Sequence, residues 1–508
     1  MTQDKICILI AIVVYLCGML SIGFRFSKRN NDEGDFYLGG RKLGPFVTAM
    51  SAEASDMSSW LLMGLPGVAY LSGIADAGWT AIGLAVGTYV NWLIVAKRIR
   101  VYSQVTNNAI TVPQFFNNRY HDNSKLLLRI AAAIIVIFFI PYTASGFAAC
   151  GKLFASIFGV KYQTAMIVSA IIILGYTSLG GFLAASTTDF LQSIVMSIAL
   201  IIVVIFGIHT AGGVDAVISN AKELPGYLTM FAMHNAETGT SSPYGAITIV
   251  STLAWGLGYF GMPHILLRFM AIEDREKLKL SRRVASIWVV ISLAVAVFIG
   301  MIGHTMSKVG AIDTLVGSDS ETVIIKIAEL LSKLGVLPAL LAGVILAGIL
   351  ASTMSTADSQ LLAASSSVSS DILGGKFKNN SMVVARVTLI IIAIIAMFIA
   401  WDPASSVFEI VSFAWAGFGA AFGPVVLFAL FWKRSNRYGA LAGLVSGGIT
   451  VFAWKYLVRP LGGVWNIYEL LPAFIVASIF IVVVSLLTPA PSKEIVDEFD
   501  QVKEICAK

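Results

Sequence analysis

The chain has 508 residues, of which 57% are hydrophobic and only 13% are charged. Soluble globular proteins average about 25% charged residues, so this composition excludes an ordinary soluble domain and predicts an all-α polytopic membrane protein. The formal net charge of +6 does not indicate nucleic-acid binding, because the basic residues cluster in alternate loops between apolar runs. The four cysteines and five histidines show no metal-ligand spacing.

Thirteen apolar runs are long enough to cross a bilayer, which requires about 20 residues. The first run lacks the basic flank and cleavage site of a signal peptide, so we expect it to be retained. The runs cover approximately 5–25, 44–71, 77–97, 126–152, 162–180, 187–209, 243–266, 284–308, 336–366, 382–401, 405–432, 437–457 and 468–487.

Lys and Arg concentrate in every second loop, which predicts an external N-terminus and a cytoplasmic C-terminus. Between these loops lie two long external segments at 210–242 and 309–335, and the second contains a helix-like stretch from Val323 to Leu334. The basic loop residues are Arg25, Lys28, Arg29, Arg41 and Lys42; Lys97, Arg98, Arg100, Arg119 and Lys125; Arg268, Arg275, Lys277, Lys279, Arg282 and Arg283; Lys376 and Lys378; and Lys433, Arg434 and Arg437.

The second run carries two acids, Glu53 and Asp56, among small residues and just before Gly64, Pro66 and Gly67. A carboxylate at membrane depth costs about 2.5 kcal/mol or more, so it usually faces a cavity, a partner or a cation. Helix breaks in transporters expose carbonyls that bind sodium and amides that bind carboxylate ligands. We interpret this run as a broken helix at an ion and substrate site. The alternative is a helix end near the membrane interface.

The seventh run is interrupted in the same way, by Gly256, Gly258, Gly261 and Pro263. Interrupted helices at corresponding positions of two halves indicate a transporter's binding site. Runs 2–6 and 7–11 form two sets of five, and an odd number gives the sets opposite orientations. The predicted units are a peripheral first helix with its loop (1–43), a first inverted repeat (44–209), an external loop (210–242), a second repeat (243–432) and two peripheral helices with a cytoplasmic tail (433–508).

The ninth run presents a row of hydroxyls on one helix face, from Ser352, Ser355, Thr356 and Ser359, with Asp358 on its flank. Hard cations prefer oxygen ligands, so this face next to the broken second run indicates a sodium site. The alternative is a packing face of small residues, which is common between membrane helices.

Three further features have alternative interpretations. Asp189 in the sixth run is either a membrane-depth acid near the ninth run or an acid in the first turn of a helix. Aromatic residues Tyr142, Trp255 and Tyr259 lie near helix breaks and either wall a small ligand or pack in the core. Gly443 and Gly447 form a GxxxG pattern for close helix packing or dimerisation, although a monomer would be sufficient.

Several motifs together resemble the sodium/solute symporter family, most closely its bacterial sodium/proline branch. The resemblance covers essentially the whole chain and implies the LeuT-like fold of two inverted five-helix repeats. The motifs are residues 37–41 (YLGGR), 55–58 (SDMS), 61–67 (LLMGLPG), 180–182 (GGF), 188–192 (TDFLQ), 255–261 (WGLGYFG), 263–264 (PH) and 354–362 (MSTADSQLL).

The resemblance also implies roles for individual residues. Sodium would be bound by the backbone oxygens of Ala54 and Met57, the hydroxyls of Ser355 and Thr356, and the position of Ser352, with Asp56 supporting the site. The substrate pocket would comprise Ser58, Leu62, Tyr142, Trp255 and Tyr259, and Arg41 would be important for transport on the cytoplasmic side.

Two positions depart from the family pattern. Ser352 is often Ala in the family, and Glu53 stands where other members carry a small residue. Some relatives have a second sodium site, which motivates a second cation site here at Asp189, Ser355, Asp358 and Ser359. Its two carboxylates would repel each other unless a cation or a proton separates them.

The resemblance predicts sodium-driven uptake of L-proline by alternating access at a bacterial cytoplasmic membrane. Sodium is the coupling ion, the bilayer is the partner, and no other cofactor is expected. The alternatives are a sodium symporter for another amino acid, pantothenate or a sugar, a proton-coupled transporter, and a channel. An enzyme is disfavoured, because the sequence shows no nucleophile–base pair and no metal cluster. No P-loop motif appears, so ATP is not expected to drive the protein through its own chain.

Overall fold

The computed structural model describes residues 2–27, 33–373 and 381–507, which are mostly helical. The basic residues Lys28, Arg29, Lys376 and Lys378 lie outside the described residues. Two short strands, β1 (Ala232–Asn235) and β2 (Thr240–Pro243), pair as an antiparallel hairpin within the predicted external loop.

Among the described residues, the first half of the chain contains ten α-helices. Their bounds are α1 (Gln3–Ser27), α2 (Glu33–Leu38), α3 (Pro45–Asp56), α4 (Leu65–Ser72), α5 (Ile74–Val90), α6 (Ala96–Val105), α7 (Val112–Arg119), α8 (Leu126–Phe158), α9 (Tyr162–Thr210) and α10 (Val214–Glu223). Short π-helical turns join α3 to α4 (Trp60–Gly64) and α5 to α6 (Asn91–Val95).

The second half adds ten more helices. They are α11 (Ala246–Leu253), α12 (Pro263–Ala271), α13 (Leu278–Lys308), α14 (Val323–Ser332), α15 (Val336–Ser366), α16 (Ser381–Ile399), α17 (Val407–Phe431), α18 (Arg437–Ala453), α19 (Leu470–Leu487) and α20 (Lys493–Ala507). The predicted helix in the second external segment is therefore present as α14.

Nine helices among the described residues are long and apolar enough to cross a membrane. A bent pair, Ala246–Gly261 with Pro263–Ala271, makes ten, and Trp60–Ser72, Tyr162–Gly175 and Arg386–Ile399 are shorter apolar helices. The number thirteen therefore stays a prediction, although each predicted run coincides with a helix, with two consecutive helices or with one half of α9.

The second predicted run is broken next to Asp56. Helix α3 ends at this residue, Met57 leaves helical geometry with φ −73° and ψ 68°, and helical structure resumes at Trp60. The break precedes Gly64 and Pro66, so small residues before the break, rather than the glycine and proline after it, mark its position.

The seventh predicted run is also broken. A 3-10 helix (Ala254–Gly261) follows α11, and Met262 is extended before Pro263 begins α12. Proline disfavours helical geometry in the residue before it and is favoured in the first turn of a helix, which explains the break at this point. The two helical parts differ in direction by 47°.

Long helix α9 contains both the fifth and the sixth predicted runs. Gly181 has a φ of 68° inside it, which breaks the helix between the two. Glycine tolerates this left-handed conformation because it has no Cβ.

Several basic residues that were expected in loops lie in helices instead. Lys97, Arg98 and Arg100 lie in α6, which continues the third run to Val105. The Arg98 guanidinium donates to the carbonyl of Leu430 (2.8 Å) and lies 4.6 Å from the Phe431 ring centroid, so protein contacts replace part of its solvation. Arg268 lies in α12 and is 1% exposed.

Glycines permit close helix contacts inside the molecule. A Cβ on Gly443 would lie 2.4 Å from Ile481, and a Cβ on Gly447 would lie 2.3 Å from the carbonyl of Ala420. The GxxxG face therefore packs within the chain, against α19 and α17. Similarly, a Cβ on Gly87 would lie 2.3 Å from the carbonyl oxygen of Gly256, where α5 crosses the broken seventh run.

We predict that Gly87→Ala lowers stability by about 1–3 kcal/mol, because the new methyl group overlaps the Gly256 backbone. Gly448→Ala is the matched control, since its Cβ meets nothing within 4 Å. Thermal unfolding of the detergent-solubilised proteins, followed by fluorescence, measures the difference. Equal melting temperatures for the two variants would contradict the predicted contact.

Candidate functional site

Asp56 is the last residue of α3, directly before the first helix break, and is fully buried. Its carboxylate oxygen Oδ2 accepts a hydrogen bond of 2.6 Å from the hydroxyl of Tyr259 in the second break. Its backbone carbonyl accepts from Trp60 Nε1 (3.0 Å), the Tyr142 hydroxyl (3.2 Å) and the Ser58 amide (2.7 Å). The carbonyl that the break releases is therefore bonded by protein donors, and Asp56 links both broken runs to α8.

Helix α15 packs against the same break through its hydroxyl row. Ser355 Oγ donates to the carbonyl of Ala54 at 2.7 Å, so a side chain and a backbone oxygen of the predicted sodium site are in direct contact. Thr356 donates to the carbonyl of Ser352 at 3.1 Å. Met57 is fully buried at the break.

Ser352, whose role the sequence leaves open, directs its hydroxyl to its own helix. Its Oγ donates to the carbonyl of Ile349 at 2.8 Å. The carbonyl of Ser352, by contrast, accepts from both Ser355 and Thr356, at 3.2 and 3.1 Å. In this conformation its backbone oxygen, not its hydroxyl, is the group associated with the predicted sodium ligands.

The predicted substrate residues surround the two breaks. Ser58 and Leu62 lie at and just after the first break, and Tyr142 and Tyr259 both contact Asp56. Trp255 lies in the second break and its ring centroid is 6.4 Å from that of Trp60. All five predicted residues are buried.

The aromatic wall is larger than the sequence predicts. The Trp255 ring lies 5.2 Å from Phe408, 6.3 Å from Trp415 and 5.1 Å from Tyr468, measured between centroids. Trp415 Nε1 also donates to the carbonyl of Trp255 (2.8 Å). These residues belong to α17 and to the turn before α19, so no local pattern connects them with the breaks.

Asp189 lies in a buried cluster with an arginine that the sequence analysis missed. Its Oδ2 accepts from Ser51 Oγ (2.7 Å) and Arg268 Nη2 (3.0 Å). Arg268 also donates to Ser51 (3.0 Å), Ser359 (2.5 Å) and the carbonyl of His264 (2.9 Å). The guanidinium of Arg268 thus compensates the charge of Asp189. The sequence signal for this role was the position of Arg268 directly after the seventh apolar run.

The second cation site stays a prediction, but its residues make contacts that the sequence did not predict. Ser359 lies between Arg268 Nη2 and Asp358 Oδ1, at 2.5 and 3.4 Å. Ser355 instead bonds the carbonyl of Ala54. The guanidinium of Arg268 is therefore a cation of the protein itself that lies between Asp189 and Ser359, the neighbour of Asp358. The sequence analysis did not consider this cation.

Arg41 joins three segments at the end of the molecule that the sequence predicts to face the cytoplasm. It donates to the carbonyls of Met270 (2.5 Å) and Ala109 (2.9 Å) and to the side chains of Ser103 (3.2 Å) and Asn108 (3.0 Å). These contacts connect the end of α12 with the turn after α6. Its predicted gating role remains untested.

Two facing helix breaks that enclose an acid, a row of hydroxyls and an aromatic wall define a class of protein, the membrane transporters of the LeuT-like fold. A substrate-bound outward-open Na+-coupled sialic acid symporter matches with a TM-score of 0.76 at 18% identity, covering 96% of this chain and 99% of that one. Mhp1, a nucleobase-cation-symport-1 family transporter, matches with a TM-score of 0.55 at 14% identity, covering 92% and 98%. These two likenesses show the fold.

The chain belongs to the sodium:solute symporter family, whose model matches residues 36–447. It is 43% identical to the sodium/proline symporter of Haemophilus influenzae over 505 residues, which are 98% of this chain and 97% of that protein. It is 42% identical to that of Escherichia coli (95% and 94% covered) and 39% identical to the osmoregulated proline transporter OpuE of Bacillus subtilis (96% of each). The predicted family and fold class are confirmed.

We predict that Arg268→Gln destabilises the protein by roughly 3–5 kcal/mol, because it leaves the buried Asp189 carboxylate without its counter-charge. The double variant Asp189→Asn with Arg268→Gln removes both charges and should recover part of the loss. Thermal unfolding of both variants and of Arg268→Lys measures this. A double variant less stable than Arg268→Gln would contradict the pairing.

Proposed function

We propose that this protein is a secondary active transporter that takes up L-proline with sodium by alternating access. The observation that carries the proposal is the hydrogen bond between Ser355 Oγ and the Ala54 carbonyl, which holds the hydroxyl row against the helix break. The relatives of about 40% identity that are named for sodium and proline support the choice of ion and solute.

Sodium would bind between α3 and α15. A hard cation at this place would take oxygen ligands from the two elements and replace the Ser355–Ala54 hydrogen bond. The buried charge of Asp56 one residue from the break would favour a cation there. The proposed ligands are the carbonyls of Ala54 and Met57, the hydroxyls of Ser355 and Thr356, and the position of Ser352, with Asp56 as support.

Proline would bind beside the same break. Its carboxylate would meet backbone amides where helical structure resumes at Trp60, since a helix N-terminus favours an anion. Its pyrrolidine ring would pack on Trp255 and Tyr259, with Ser58, Leu62 and Tyr142 completing the pocket. The aromatic neighbours of Trp255 support a compact apolar ring over a sugar, which requires more polar side chains.

Coupling follows from the shared position of the two ligands. Because Asp56 bonds Tyr259 while Ala54 bonds Ser355, sodium binding would order the pocket as well as its own site. Each ligand would then raise the affinity for the other by the same factor. One inward charge moving through 100 mV supplies about 2.3 kcal/mol to the cycle.

The remaining assignments are part of this proposal. The protein acts in a bacterial cytoplasmic membrane, with its N-terminus outside and its C-terminus in the cytoplasm. A monomer is sufficient, transport rather than catalysis is its activity, and no cofactor besides sodium is required. The two inverted repeats span residues 44–209 and 243–432, in line with the two helix breaks near the start of each.

Uptake of radiolabelled proline into proteoliposomes tests the proposed function. We expect uptake to require an inward sodium gradient, to increase with a negative internal potential, and to be inhibited by excess unlabelled proline. Uptake driven by a pH gradient without sodium would indicate a proton-coupled transporter. Stronger inhibition by another amino acid, pantothenate or a sugar would identify a different solute.

We predict that Ser355→Ala and Thr356→Ala each raise the sodium concentration for half-maximal uptake by roughly tenfold, the equivalent of one lost ligand of about 1.4 kcal/mol. Ser366→Ala is the matched control, because within the described residues its buried hydroxyl donates to the carbonyl of Ala363 on its own helix. The sodium dependence of uptake measures the effect. Wild-type sodium dependence in both site variants would refute the ligand assignment.

A further inference from the structure

The segment before α19 reaches the wall of the proposed proline pocket, although α18 and α19 belong to the unit that the sequence predicts to be peripheral. Tyr468 lies in this segment and is buried. Its ring stacks on that of Trp255, with 5.1 Å between the centroids and 21° between the planes. A residue outside both predicted repeats therefore contacts the second helix break.

Tyr468 is held in this position at both of its ends. Its backbone amide donates to Ser251 Oγ on α11 (2.6 Å), and its hydroxyl donates to the carbonyl of Ser412 on α17 (2.7 Å). Helix α11 leads directly into the second break, and α17 bonds the break through Trp415 Nε1. Because both ends of Tyr468 are bonded to the elements that flank Trp255, its ring offers Trp255 a fixed surface.

The residues that follow this tyrosine fix the same segment. Glu469 is fully buried and pairs with Arg459 (3.1 Å). Leu470 lies where two glycines meet, since a Cβ on Gly419 would lie 2.7 Å from Leu470 Cδ1 and 2.8 Å from the Cα of Gly258. The start of α19, helix α17 and the second break are therefore packed together without room for a further side chain at this point.

The orientation of the Trp255 ring depends on packing rather than on a hydrogen bond of its own. In the described part of the chain, its indole N–H donates no hydrogen bond, whereas its backbone carbonyl accepts one from Trp415 Nε1 (2.8 Å). The rings around it belong to Trp60, Phe408, Trp415 and Tyr468. Of these four, Tyr468 has the shortest centroid distance and the plane nearest to parallel, so it constrains the indole plane most directly.

We propose that Tyr468 is a positioning residue of the proline pocket, which fixes the indole plane of Trp255 and thereby sets the ring size that the pocket accepts. The inference rests on the transport function proposed above, in which the pyrrolidine ring packs on Trp255 and Tyr259. A smaller side chain at position 468 would leave space beside the indole, and the indole could then move into that space. The pocket would bind proline less tightly and would admit a cyclic amino acid with one more methylene in its ring.

Transport kinetics of Tyr468→Leu test this proposal. We expect the KM for proline to rise roughly threefold to tenfold, with the maximal rate per folded transporter nearly unchanged, because a loosened pocket wall weakens ground-state binding. Pipecolic acid, the six-membered homologue of proline, should compete better against proline in this variant than in the wild type. Tyr468→Phe keeps the stacked ring and should recover most of both the affinity and the selectivity.

Tyr456→Leu is the matched control. Tyr456 lies in the turn after α18, is 60% exposed, and has Phe413 and Phe452 as ring neighbours, neither of which belongs to the proposed pocket. Its replacement should change neither the KM nor the competition by pipecolic acid. A folded Tyr468→Leu variant with wild-type KM and wild-type selectivity would overturn the proposal, and so would equal changes in Tyr456→Leu.

Fluorine NMR of protein labelled with fluorotryptophan gives a test that needs no transport. The signal that is missing in Trp255→Phe belongs to Trp255. We expect Tyr468→Leu to shift and broaden this signal, Tyr468→Phe to leave it close to its wild-type position, and both to leave the signal of Trp288 on α13 unchanged. An unchanged Trp255 signal in Tyr468→Leu would overturn the proposal.

A second variant keeps both tests decisive if Tyr468→Leu does not fold. Ser251→Ala removes the acceptor of the Tyr468 amide and retains the tyrosine. It should move the KM, the selectivity and the Trp255 signal in the same directions by smaller amounts, and wild-type values of all three would overturn the proposal.

The two measurements also separate this inference from the proposed function. If the wild type shows no sodium-driven proline uptake, the proposed function fails, while the fluorine signal still decides whether Tyr468 orients Trp255. If the wild type takes up proline and the Trp255 signal does not respond to Tyr468→Leu, the proposed function stands and this inference is wrong.

Discussion

The structure depends on one buried charge at one helix break. Asp56 ends α3 in the interior of the molecule, and its two kinds of oxygen are bonded by groups from three other elements. A buried carboxylate and a carbonyl freed by a helix break are both costly without hydrogen-bond donors, so the donors of these two oxygens cannot move independently of the break. The position of α8, of the second break and, through Ala54 and Ser355, of α15 follows from this constraint.

The protein stabilises its buried acids in three different ways. Asp189 is paired with Arg268, an ion that also organises Ser51 and Ser359. Glu321 is paired with Lys152 (2.7 Å) and also accepts from the backbone amides of Val407 and Phe408 at the N-terminus of α17. Those two acids have a cationic partner. Within the described residues, the carboxylates of Glu53 and Asp56 instead accept from neutral donors, which are Thr88, Trp92 and Tyr259.

Sequence reasoning succeeded where the signal was local and failed where it depended on distant elements. Acids inside an apolar run predicted the first break, and Pro263 with its neighbouring glycines predicted the second, because both signals lie within the segment they affect. Arg268 was assigned to a loop, because it follows the seventh apolar run and belongs to the group of basic residues between that run and the next. Its partner Asp189 is 79 residues away in the chain, and no spacing rule connects them.

The sequence by itself determined the class of this molecule, its helical composition and the existence of two interrupted runs, because burial in a bilayer leaves a strong compositional and periodic signal. Only the tertiary structure decided which oxygens meet. The Ser355–Ala54 contact, the aromatic neighbours of Trp255 and the Arg268–Asp189 ion pair arise from packing between helices far apart in the chain. Such contacts depend on how whole helices approach each other, and no local stretch of residues encodes that.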